Sequence, residues 1–230
     1  MDIKPIPSEH AWELEYQNPQ LLTKDQEPTK AFRDFVNWLA KDQDIDLRGK
    51  RVLDLGCGTG RNLIYLHENY GAVGVGVDIS SNALRMAKEK APELDWVKHD
   101  LNNPLPEFES EFDLVIDSTT SHLLGAEKRS QMVASVADAV SKDALLYVRT
   151  LTKDGDRNAH NLIKNIPGPE KDSYIHPNLG IAEYVLSEQD LLDLYGSRFE
   201  VLHKKKYTGY QRWGVQSYKR RYFLMYLKKK

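Results

Sequence analysis

The chain has 230 residues, 40% of them apolar and 29% charged, the balance of a globular protein with one core of ordinary size. Its formal net charge is −2 and its single cysteine is Cys57, which excludes an internal disulfide and any multi-cysteine zinc site. No apolar run approaches the roughly 20 residues of a membrane span, and the opening MDIKPIPSEHAWELEY lacks the pattern of a secretory signal, so the expected address is the cytoplasm.

In chain order, residues 1–28 read as polar and irregular, with Trp12 and Tyr16 as the large anchors. PTKAFRDFVNWLAK then places Phe32, Phe35, Val36 and Leu39 on one stripe, which predicts a helix behind Pro28. RVLDL predicts a strand, GTGRNLIYLHENYG a helix stopped by Gly71, AVGVGVD a second strand, and SSNALRMAKEKA a helix capped by Ser80. LDWVKHD and FDLVID are the third and fourth strands, EKRSQMVASVADAV a helix and ALLYVRT the fifth strand. Strands apolar on both faces, alternating with helices, argue a parallel sheet covered on both sides.

The end breaks that rhythm. After the helix SEQDLLDLY, the strands FEVLHKKKYTGY and RRYFLMYLKKK follow each other without a helix, which predicts an antiparallel hairpin. Residues 151–186, punctuated by Gly155, Pro167, Gly168, Pro169, Pro177 and Gly180, read as a lid or substrate-binding insertion. From His203 onward there are ten Lys or Arg and no acid, leaving 22 basic against 34 acidic side chains in residues 1–202. That asymmetry fits a polyanionic partner or a solvated hairpin face.

The stretch VLDLGCGTGRN, residues 52–62, carries the functional signal. A glycine turn between a parallel strand and a helix lets backbone approach a ligand closely and aims helix N–H groups at it. A dinucleotide fingerprint needs a glycine at position 61, where this chain has Arg61, and there is no GK[ST] triplet. Asp78 ends the second strand 22 residues after Gly56, where such folds place the acid that accepts ribose hydroxyls. An adenosine without a pyrophosphate suggests S-adenosylmethionine.

VLDLGCGTG, GVGVDIS, HDLNNPLP and FDLVIDS, in that order, resemble the motif series of the class I S-adenosylmethionine-dependent methyltransferases over roughly residues 50–150. The resemblance implies one doubly wound α/β domain over residues 1–230, a Rossmann-like methyltransferase fold. Its seven strands would be ordered 3-2-1-4-5-7-6 with the last antiparallel, and residues 1–45 would form an N-terminal helical cap segment. It further implies that Gly56, Cys57, Gly58 and Gly60 wrap the methionine portion and that Asp54 orients its amino group. Asp78 would hold the ribose with Ile79 against the adenine, Asp100 and Leu101 would read the adenine edge, and Asp117 and Ser118 would face methionine and acceptor.

Each position also has a plainer reading. Asp54 could cap the glycine turn, Asp78 the next helix, and Asp100 could form an Asx turn before Asn102. Cys57 could be merely small. His122, in IDSTTSHLL, follows the fourth strand and is the candidate general base, or else a packed histidine; His160 and His176 are weaker candidates in the irregular segment. Trp12 and Tyr16 either close the pocket or pin the terminus. The fourth strand lacks the Asn/Asp-Pro-Pro-Tyr/Phe motif of enzymes acting on nucleobase or glutamine amino groups, so the expected acceptor is a small molecule's O, N or S atom. The alternatives are a protein or RNA acceptor held by the basic hairpin, and a cofactor-binding module without catalysis.

Overall fold

The computed structural model describes residues 4–18, 27–108, 111–213 and 216–230. Its centre is a parallel sheet built from β1 (Arg51–Leu55), β2 (Val73–Asp78), β3 (Asp95–Lys98), β4 (Phe112–Ser118) and β5 (Val140–Leu151). The hairpin of β8 (Phe199–Trp213) and β9 (Gln216–Lys229) extends it, giving the order β3-β2-β1-β4-β5-β9-β8. Only β9 runs antiparallel to its neighbours. This is the sheet order expected from the sequence, β8 and β9 being the sixth and seventh strands expected there.

Side chains alternate across the sheet, and each face buries its own core. On one face Val52, Leu114, Ile116, Leu145 and Tyr147 meet Phe32, Phe35, Val36 and Leu39 of α2 (Lys30–Asp42) and Leu63 and Leu66 of α3 (Arg61–Tyr70). On the other, Leu53, Val77, Val115, Leu146 and Val148 meet α5 (Ala126–Ala139) and α7 (Glu188–Gly196). Each such side chain contributes about 1.5–3 kcal/mol by leaving water, so both faces hold the sheet rigid beneath its carboxyl edge. The helix ends follow the expected chemistry. Thr29 caps α2, Ser80 caps α4 (Ser81–Lys90), and Gly71 closes α3 in the left-handed conformation.

Two expectations of irregular chain are corrected. Ser8–Gln17 forms α1; residues 1–3 and 19–26 of the stretch expected to be irregular lie outside the described residues. α1 was hidden because no side chain caps its start and its apolar residues form no clear stripe. Within 151–186, Asp156 caps α6 (Arg157–Asn165), and β6 (Ser173–Ile175) pairs antiparallel with β7 (Ala182–Tyr184). Tyr222 of β9 packs together with Leu151, Ala159, Tyr174 and Val185 of this segment. Its prolines and glycines mark the turns between short elements, not an absence of structure.

Candidate functional site

The carboxyl ends of β1, β2 and β4 open onto a cavity of about 1030 Å³, counting the open space at its mouth. Among the residues singled out from the sequence, Gly56, Cys57, Gly58, Asp78, Ile79, Asp100, Leu101 and Ser118 line it. Trp12 and Tyr16 of α1 line it too. The glycine turn is held in left-handed backbone, with φ of 59° at Gly56 and 56° at Gly58. A Cβ at Gly56 would lie 2.5 Å from Thr120 Oγ1, and one at Gly58 2.5 Å from Tyr16 Oη. Both conformation and space therefore demand glycine there.

Two acids frame the turn. Asp78 Oδ2 accepts from Gly58 N–H at 2.8 Å and its Oδ1 from Ser80 N–H at 2.8 Å. Burial raises its pKa, against those hydrogen bonds. Asp54 is 1% exposed and its Oδ2 has no hydrogen-bond partner. Burial pushes its pKa from 3.8 up to about 8; Arg61 works against this and the charges of Asp78 and Asp117 add to it. Asp54 sits behind the cavity wall, not on it. A buried acid oxygen without a partner suits a cationic donor. The Cys57 thiol is pushed well above its ordinary range, first by burial and then by Asp78 and Asp54, which leaves it as an inert small residue.

Other expected residues are occupied by the chain itself. Asp100 Oδ1 accepts from Asn102 N–H at 2.9 Å and from Asn102 Nδ2 at 2.8 Å, the Asx turn of the plainer reading, although Asp100 still lines the cavity. Asp117 does not line it. Its Oδ1 accepts from Thr120 and Ser121 N–H groups at 3.2 and 3.0 Å, and its Oδ2 from Tyr195 Oη at 3.1 Å. Gly60 caps α3 outside the lining.

His122 also departs from its expected place. It is 4% exposed in the 3-10 turn Ser121–Leu123, with Nε2 3.7 Å from Glu183 Oε1, while its neighbours Thr119, Thr120, Leu123 and Leu124 line the cavity. Burial would raise the Glu183 pKa, but His122, His176 and Arg220 overcome it and hold the carboxyl at about 2. His122 belongs to a buried ion network. His160 is exposed on α6, and His176 Nδ1 accepts the N–H groups of Asn178 and Leu179 at 3.3 and 3.0 Å.

Sequence reasoning missed Arg61, Asn62, His99, Thr119 and Thr120 as lining residues. The polar run DSTTSH after the fourth strand was the available signal for the last two. Thr119 holds a φ of 66°, backbone strain of the kind that gathers at ligand sites. The cover was also missed. Glu13 of α1 reaches the start of α4, where its carboxylate accepts from Ser81 and Asn82 N–H groups at 2.7 and 3.1 Å. Ile6 N–H donates to Gly180 O at 2.9 Å, and Ala11, Leu179 and Ile181 pack together with Trp12 and Leu123.

A sheet of this order with a glycine turn after its first strand defines a Rossmann-like methyltransferase fold. Residues 52–143 match the family model described as a methyltransferase domain. An uncharacterized methyltransferase of Synechocystis is 39% identical over 88 residues, covering 38% of this chain and 41% of the relative. Trans-aconitate 2-methyltransferase of Azoarcus is 26% identical over 155 residues, covering 67% of this chain and 57% of the relative. The chain thus spans about half the length of these relatives. A solved S-adenosylmethionine-dependent methyltransferase of Anabaena variabilis superposes with a TM-score of 0.71 at 19% identity, covering 100% of this chain and 99% of that one. Residues 52–143 are thus similar to a methyltransferase domain, and the chain shares the fold of a solved S-adenosylmethionine-dependent methyltransferase.

Proposed function

We propose that the protein binds S-adenosylmethionine in this cleft and transfers its methyl group to a small-molecule acceptor. The observation that carries the reading is the convergence of the glycine turn, Asp78 and Ser118 on one cavity at the carboxyl edge of a parallel sheet, where such sheets bind ligands. The residues fit the cofactor. The turn admits close backbone approach, Asp78 has lone pairs left for hydroxyls, and the unpartnered Asp54 Oδ2 suits an ammonium. The sulfonium, once bound, supplies an activated methyl group.

The chain's own task is then orientation and dryness. Ser118, Thr119 and Thr120 form the acceptor side, while Trp12 and Tyr16 cover the mouth and exclude water. Alignment of the reacting atoms alone is worth roughly 7–11 kcal/mol of barrier. We take residues 151–186 as a brace for α1, through the Ile6–Gly180 bond and the apolar contact with Leu179 and Ile181.

Charge pairing supports a small acceptor over RNA. Lys204 and Lys206 of the hairpin pair with Glu188 at 2.7 and 2.8 Å, and Lys228 with Asp143 at 2.9 Å. These three lysines thus have counter-ions within the protein, which weakens any phosphate-backbone term they would contribute. The small-molecule acceptor of the Azoarcus relative lends the same support.

Calorimetry tests the reading. The protein should bind S-adenosylmethionine and S-adenosylhomocysteine, and Asp78→Asn should weaken binding at least about tenfold, or about 1.4 kcal/mol. Equal affinity in the variant removes Asp78 from the site, and no binding to the wild type removes the function.

A further inference from the structure

Ser118 and Arg149 are register partners on adjacent parallel strands. They point to the same face of the sheet as Ile116 and Tyr147, two residues before each. Ser118 lines the cavity and Thr119 N–H donates to the Arg149 carbonyl at 2.7 Å, so Arg149 and Tyr147, themselves outside the lining, lie behind this part of the cleft wall.

Arg149 has no carboxylate partner among the described residues. Its Nε donates to Tyr207 Oη at 2.6 Å, and its Cζ lies 4.2 Å from the centroid of the Tyr222 ring. Burial works against the charge, and the surrounding Tyr207, Tyr222 and Tyr147 more than offset it, so the guanidinium stays charged. A buried guanidinium of the hairpin is settled differently, since Arg220 Nε pairs with Asp156 Oδ2 at 3.0 Å. Two hydroxyls close to Arg149 are also unsatisfied. Ser118 Oγ is buried without a hydrogen-bond partner, and so is Tyr147 Oη, although Thr29 lies near it.

A partly buried cation beside two unsatisfied hydroxyls, one of them on the cleft wall, calls for an anion from outside the chain. Tyr207 takes the Nε of the guanidinium and Tyr222 covers its face. What remains is the edge of the two terminal amino groups, whose parallel N–H donors match the two oxygens of a planar carboxylate. Each hydroxyl can donate one further hydrogen bond. We propose that Arg149, Ser118 Oγ and Tyr147 Oη form a carboxylate-binding subsite for the methyl acceptor, which makes that acceptor a small carboxylic acid. The proposal rests on the methyl-transfer reading of the cleft and names the substrate class for it.

The test is calorimetry and thermal shift on the full chain. S-adenosylhomocysteine is titrated first; no binding there sinks the methyl-transfer reading itself. The saturated protein is then titrated with benzoate, succinate, citrate and trans-aconitate, with inorganic phosphate as a separate arm. At least one carboxylate should bind and raise the melting temperature. Its affinity should fall at least tenfold in Arg149→Gln, with cofactor-product affinity held within twofold. Arg149→Lys, which keeps the charge and loses the fork, should fall between. If Arg149→Gln does not fold, Ser118→Ala combined with Tyr147→Phe decides, and carboxylate binding should drop at least threefold. Equal carboxylate affinity in wild type and variants overturns the subsite. So does phosphate binding more tightly than every carboxylate, or no carboxylate binding to protein that does bind S-adenosylhomocysteine.

Discussion

Beside the glycine turn, Asp54 is a buried acid with one oxygen that has no hydrogen-bond partner. Within residues 151–186, Glu183 and Asp156 are buried acids whose oxygens all face the chain's own donors or cations. Asp156 accepts from Ala159 N–H and Arg221 N–H, each at 2.9 Å, and from Arg220 Nε at 3.0 Å. Glu183 accepts from Tyr174 Oη and lies 3.7 Å from His122 and 4.0 Å from Arg220. The residue types are alike, and the counting of partners separates them. A closed set of ion pairs fixes a segment in place, whereas an open set invites a ligand.

The closed set should break hardest. Arg220 is 1% exposed and also donates to Gln211 Oε1 at 3.2 Å and to Tyr174 Oη at 2.7 Å. Arg220→Met would leave two buried carboxylates without their cation, a loss of about 3–5 kcal/mol by urea denaturation. A loss under about 1 kcal/mol would show that the network does not hold the segment.

The open set should answer to pH. Asp54 titrates at about 8 in the folded protein against 3.8 ordinarily. Between those values the folded state keeps a proton that the unfolded chain has lost, so stability falls as pH rises through the window. In the proposed binding mode an ammonium beside Asp54 would favour the ionised form, so binding below pH 8 would release a proton. Affinity for S-adenosylhomocysteine should rise from pH 6 to 8 by up to about tenfold per unit, then level off. Asp54→Asn should flatten the slope; a wild-type profile already flat would place the ligand's ammonium elsewhere.

These two regions were not equally legible. The turn at residues 56–60 and the acid at Asp78 are local features, fixed by backbone sterics and by strand ends that hydrophobic periodicity reveals. His122 seemed the best base from its place after the fourth strand, but its partner Glu183 comes 61 residues later, and no local pattern announces that meeting. Asp117 is similar: the turn it caps is nearby, while Tyr195 arrives from α7. Arg149 carried no motif at all. That it has no carboxylate partner among the described residues becomes visible only once β4, β5 and the hairpin lie side by side.

The smallest expected effect concerns the cover that joins the regions. The Glu13 carboxylate also accepts from Ser80 Oγ at 3.0 Å and Asn82 Nδ2 at 2.6 Å, so α1 supplies an acid to the N-terminus of α4, where the helix dipole favours a negative charge. Burial raises the Glu13 pKa, but these hydrogen bonds outweigh it and the net shift is downward. The latch is therefore complete above the ordinary carboxylate range and loosens as pH falls through the lowered value. Glu13→Gln keeps the shape and one acceptor oxygen while losing the charge, which should cost about 0.5–1 kcal/mol. Because α1 packs on the cleft and not on either sheet core, that cost should appear in the cover. Amide exchange over residues 8–17 should speed up, and affinity for S-adenosylhomocysteine should fall two- to fivefold, with the global denaturation midpoint almost unmoved. Exchange and affinity both unchanged would mean that Trp12 and its apolar contacts hold α1 without help from the charge.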